Sequence, residues 1–109
     1  MAMRIEWSKL AVTRFDKAVN HGRVVFGIKV AKRFYQRIKH CEVLLGLNPC
    51  MGRVEPLLVG RAYEYRSLVV HEHFKMIYRV DDVRDIIYII DFWDVRQEPQ
   101  TLTNETKDK

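Results

Sequence analysis

The feature that most constrains this chain is a change in hydrophobic period part-way along it. Val24, Ile28, Ala31, Phe34, Tyr35, Ile38, Cys41 and Leu45 recur at helical spacing, which places an amphipathic helix over roughly residues 24–45. After a loop-like stretch from Met51 to Gly60, punctuated by Gly52, Pro56 and Gly60, the period falls to two. Residues 63–70, 74–80 and 86–93 then read as three strands, joined by the turn His71-Glu72-His73 and the polar loop 81–85. Ile86–Ile90 is apolar on both faces, so that strand is expected to be central.

The N-terminal part completes the order. Met3, Ile5 and Trp7 alternate with polar residues as a half-buried strand does, and Ser8 is placed to cap a helix over residues 9–19, with Trp7 and Val12 as its hydrophobic staple. Asn20, His21 and Gly22 are expected to break that helix. Gly46 is expected to cap the second one, with Pro49 beyond it. Two helices so closely joined lie antiparallel. The fold class is therefore α+β in two layers, an N-terminal strand and an antiparallel helical hairpin packed on an antiparallel β-sheet. The sheet face away from the helices is expected to stay partly open. One domain over residues 1–99 is followed by a polar tail, 100–109, that is expected to be flexible.

With 109 residues the chain holds one domain, and 48% apolar and 30% charged residues exclude wholesale disorder. No apolar run is long enough to span a bilayer and no signal peptide is visible, so a cytoplasmic protein without a membrane partner is expected. Two cysteines make no disulfide scaffold: Cys41 falls on the core stripe and Cys50 in a loop. Residues 1–40 carry ten bases and two acids, whereas residues 81–109 carry four bases and eight acids. Lys29, Lys32, Arg33, Lys39 and, on a strand, Arg79 are candidates for contact with a nucleic acid or an acidic protein target.

His71 and His73 lack further ligands at metal-site spacing, and there is no phosphate-binding loop, dinucleotide fingerprint or nucleophile elbow, so no cofactor or metal is expected. What remains is a set of cations and a hydroxyl on the strands: Arg66, Lys75, Tyr78, Arg79 and Arg96. Metal-free RNA cleavage needs cations on the pentacoordinate phosphate and groups to carry two protons. Tyr78 alternates in register with Phe74, Met76 and Val80, and so reads first as core.

Arg66-Ser67-Leu68, then Phe74-Lys75-Met76-Ile77-Tyr78-Arg79-Val80, then Ile86–Ile90 closed by Asp94-Val95-Arg96-Gln97-Glu98-Pro99, resemble the RelE/ParE toxin superfamily of type II toxin–antitoxin modules. The opening strand ending in Trp7, the helical hairpin and the Leu47-x-Pro49-x-x-Gly52 loop agree, and the resemblance covers roughly residues 3–99. It implies a bacterial or archaeal toxin neutralised by a cognate antitoxin; alone, with its apolar patch uncovered, the chain is expected to self-associate. RelE-like members cut mRNA on the ribosome; ParE-like members inhibit DNA gyrase without being nucleases.

For a ribosome-dependent endoribonuclease the resemblance implies catalytic roles for Arg66, Lys75 and Arg96; His71 or His73 are candidates to stand in as proton carriers. The nuclease class also has a C-terminal tyrosine, which would fall near Leu102; here no tyrosine follows Tyr88. The alternatives are gyrase inhibition and a non-toxic member of the fold retained for antitoxin binding.

Overall fold

The structure is a computed structural model that describes residues 2–97 and 99–106. Strand β1 (Arg4–Trp7) leads into helix α1 (Lys9–Phe26). Ser8 is the cap that the sequence predicts: its hydroxyl accepts from the Ala11 N–H at 3.1 Å and donates to the Ile90 carbonyl at 2.7 Å, which ties the helix start to the sheet. Trp7 packs its ring on Phe15 and Phe92, while Val12 lies exposed. Helix α1 runs straight through Asn20, His21 and Gly22. One helical glycine costs only about 1 kcal/mol, and the Arg23 side chain donates back to Asn20 across the turn. The break comes at Gly27, whose φ of +94° is a conformation other residues adopt only with strain.

Helix α2 (Ile28–Leu47) follows directly. Phe15 meets Phe34 and Tyr35, as an antiparallel hairpin requires. Gly46 lies inside the last turn of α2 and does not cap it. Its carbonyl accepts from the Met3 N–H at 2.9 Å, and a Cβ there would stand 3.1 Å from the Met3 carbonyl oxygen. Gly46 thus lets α2 approach β1, and Asn48 caps the helix, its side chain donating to the Leu44 carbonyl.

The sheet adds a two-residue strand β2 (Arg53–Val54) to the three expected ones: β3 (Arg66–His71), β4 (Phe74–Asp81) and β5 (Ile86–Asp94). The order is β1-β5-β4-β3-β2. The expected antiparallel meander is present, but β1 joins β5 in parallel, so the whole sheet is mixed. Strand β5 is paired on both edges, which accounts for the two-sided apolar run Ile86–Ile90. Its register against β4 skips Ile90, so Ile89 and Phe92 share the face that packs under the helices. That face, with Ala11, Phe15, Ile38, Leu45, Met76 and Ile87, is the main core.

The opposite face carries a second, smaller core of Leu58, Tyr65, Ile77, Trp93 and Leu102. It is covered by a one-turn 3-10 helix, Pro56–Leu58, and by helix α3 (Pro99–Glu105). The sheet is therefore covered on part of the face expected to stand open. The stretch expected to be a flexible tail supplies α3: Leu102 is fully buried, and Arg61 donates to the carbonyl oxygens of Thr103 and Thr106. Glu98, within the closing motif, and residues 107–109 of the expected tail lie outside the described residues.

Candidate functional site

Arg66, Lys75 and Arg96, the cations for which the resemblance implies catalytic roles, lie in three separate settings. Arg66 opens β3, where it pairs across the sheet with Tyr78 on β4. Its guanidinium donates to the Gly52 carbonyl at 2.8 Å and lies 3.1 Å from the Glu64 carboxylate. Tyr78 grips the same loop from below: its hydroxyl accepts from the Gly52 N–H at 2.9 Å and donates to the Pro49 carbonyl at 2.7 Å. Burial pushes the Tyr78 phenol above its ordinary value, against the opposing pull of the Gly52 N–H and Arg66. Arg66 and Tyr78 together hold the Pro49–Gly52 loop. The core reading of Tyr78 is the one that holds, since it is wholly inaccessible to solvent.

Lys75, on the other face of β4, points into the second core and pairs with the carboxylate of Glu55. The Lys75 side chain is 13% exposed and that of Glu55 1%. The sequence reading did not single out Glu55. Its signal was there: it is the sole acid between Glu42 and Glu64, and a lysine among core-forming strand residues needs a buried counter-charge.

Arg96, just beyond β5, makes a two-pronged contact with Asp94, at 3.0 and 2.8 Å, which holds the Asp94 carboxyl below the usual range. The rest of Arg96 faces a cleft of about 450 Å³ between the tip of the helical hairpin and the β3–β4 turn. Phe34, Phe74 and Ala31 supply apolar surface in it, Arg33, Arg37, His71 and His73 line it with Arg96, and among the described residues no acid lines it. His71 rests edge-on against Phe34, and its Nδ1 accepts from the His73 N–H. Burial lowers the His71 pKa from its ordinary value, and the positive charge of Arg37, with smaller contributions from His73 and Arg96, lowers it further against the opposing effect of Glu72. A neutral imidazole thus stands beside three arginines.

The structure brings Arg33 and Arg96 into this cleft and adds Arg37, which the sequence reading counted only within the basic N-terminal half. Lys29 and Lys32 are exposed on α2. Lys39 is not on the outer basic face: its ammonium lies over the rings of Trp7, Phe15 and Tyr35 at 5.5–5.8 Å and pairs with Glu42. Arg66, Lys75 and Arg96 are thus each bound to a different internal partner, on different parts of the sheet.

A family model described as the ParE toxin of the type II toxin–antitoxin system parDE matches residues 5–99. The chain belongs to the ParE toxin family. Membership in such a system implies an antitoxin as its partner. Among solved structures, the chain is similar to one titled a chromosomal ParDE toxin–antitoxin system from P. aeruginosa. That likeness has 21% identity and a TM-score of 0.67, covering 85% of this chain and 96% of that one. It is also similar to the YoeB dimer of Staphylococcus aureus, at 18% identity and a TM-score of 0.58, covering 84% and 95%. At these identities the likeness concerns the fold, which agrees with the α+β architecture. No curated protein matches the chain. Among the described residues no helix is long and apolar enough to cross a membrane.

Proposed function

We propose that this ParE-family chain is a stoichiometric inhibitor of DNA gyrase, not a ribonuclease, and that an antitoxin segment of acidic and apolar character occupies the basic cleft. The observation that carries the choice is the burial of Lys75 against Glu55. A lysine already neutralised by an internal carboxylate, and almost closed to solvent, is a poor ligand for a transferring phosphate. Arg66 is spent on the Pro49–Gly52 loop in the same way, and no tyrosine follows Tyr88 to act from the C-terminal segment. The antitoxin reading rests on the chemistry of the cleft: aromatic and aliphatic surface for an apolar side chain, arginines and histidines for carboxylates. Exposed Val24, Val25, Phe26 and Ile28 at the hairpin tip support self-association when that partner is absent.

One observation favours ribosome-dependent mRNA cleavage as the second reading. His71, kept neutral, stands beside Arg37 and Arg96, so a proton acceptor and phosphate-binding cations do share one cleft. Induced expression without an antitoxin separates the two. Growth arrest with a DNA-damage response and intact mRNA is expected. Arrest with codon-phased mRNA cuts, lost in His71→Ala, would replace the first reading by the second. Unimpaired growth with the protein present would leave antitoxin binding alone.

A further inference from the structure

Arg79 is set apart from the other cations of the chain. It lies on β4 two residues from Ile77 of the second core, on the sheet face turned away from the helical hairpin. Its guanidinium carbon is 4.0 Å from the centre of the Tyr63 ring and 4.5 Å from that of Tyr88. Tyr88 is its cross-strand partner on β5, and Tyr63 comes from the loop before β3, so the two rings reach it from either side of β4. No carboxylate among the described residues pairs with it. Among the described residues, Arg79 Nε is the buried side-chain nitrogen with no hydrogen-bond partner.

Ring stacking stabilises a guanidinium through its faces, which leaves its in-plane N–H groups unsatisfied. A planar fork held by two rings has already lost its rotamer freedom, so little remains to be lost when it takes a ligand with matching oxygens. Carboxylate and phosphate both have that geometry. The surroundings choose between them. Glu64 adjoins Tyr63, Asp81 and Asp82 follow Arg79, and Glu6 lies opposite Tyr88 in register; Arg66, Arg84 and Arg4 stand against Glu64, Asp81 and Glu6. A nucleic-acid backbone brings a dense row of charges and would find the neighbouring cations already paired with acids. A single carboxylate needs only Arg79.

We propose that Tyr63, Arg79 and Tyr88 form a receptor for one carboxylate, an Asp or Glu side chain of a partner polypeptide. This receptor shares no lining residue with the basic cleft, and it stands whether the cellular target is gyrase or the ribosome.

The test is an NMR titration of the full chain with N-acetylglutamate amide at constant ionic strength, following the amides of Tyr63, Arg79 and Tyr88. A hexathymidylate oligonucleotide is the comparison. Saturable shifts at those amides are expected from the carboxylate, weakened at least tenfold in Arg79→Lys and several-fold in Tyr63→Ala, with no saturation by the oligonucleotide. Arg79→Lys keeps the charge, and its amide spectrum reports whether it is folded. The proposal is overturned if Arg79→Lys titrates like the wild type or if the wild type does not saturate, which would make the stack a structural clamp. It is equally overturned if the oligonucleotide saturates these amides at lower concentration, which would make this face a nucleic-acid surface.

Discussion

Lys75 and Glu55 form an ion pair inside the second core, the carboxylate 1% exposed and the ammonium side chain 13%. Breaking a buried pair by removing one partner leaves an uncompensated charge, at a cost of about 3–5 kcal/mol. Glu55→Ala is therefore expected to lower stability by about that amount in urea unfolding. Replacing both residues by apolar ones, Lys75→Met with Glu55→Leu, is expected to restore most of the loss. Equal destabilisation by the single and double variants would mean that the pair is not what holds this site.

Tyr78 and the Pro49–Gly52 loop give a second test. Tyr78→Phe keeps the ring in the core but deprives the Gly52 N–H of its acceptor and the Pro49 carbonyl of its donor. The expected cost is about 1–3 kcal/mol, with faster amide exchange confined to residues 49–53. An unchanged Gly52 exchange rate would show that the hydroxyl does not hold the loop.

His71 predicts a pH dependence of definite sign. Its folded-state pKa lies below the unfolded value of 6.5, with burial as the first cause and Arg37 as the next. Between the two values the unfolded chain holds more protons, so this group's contribution is present above pH 6.5 and lost as the pH falls through the folded value. Arg37→Ala is expected to raise the His71 pKa, as read from its ring-proton shifts, and to narrow that acid-sensitive window. A lower pKa in Arg37→Ala would contradict the arrangement of the cleft.

Helix α3 is tested by Leu102. As part of a packed element, Leu102→Ala is expected to cost about 2–3 kcal/mol, whereas in a frayed tail it would cost almost nothing.

What could be read from the sequence follows from the range over which each feature is encoded. The α2 stripe from Ala31 to Leu45, the alternation of β4 and the two-sided Ile86–Ile90 run are local and stand where the periodicity puts them. Val24, by contrast, belongs to α1 and is exposed with Ile28, and β3 begins at Arg66 and not at residue 63. Features decided by contacts distant in sequence were not visible. Gly46 looks like a cap until Met3 is seen packed against it. Asn20-His21-Gly22 looks like a break until Gly27 is seen to provide a better one. The second core draws Leu58 and Leu102 from segments with no period of their own, so neither α3 nor the Glu55 partner of Lys75 shows in the pattern. Of the candidate site, residue types were legible but their grouping was not: Arg33 and Arg96 meet in one cleft, while Arg66 and Lys75 hold the fold elsewhere.

The most direct measurement is gyrase-dependent cleavage of supercoiled DNA, run beside a translation extract, for the wild type and the Lys75→Met/Glu55→Leu variant. Linear DNA is expected to accumulate with both proteins while the mRNA stays intact, because Lys75 serves the fold and not a phosphate. Codon-phased mRNA cuts by the wild type, abolished in the folded variant with the DNA unbroken, would contradict the account.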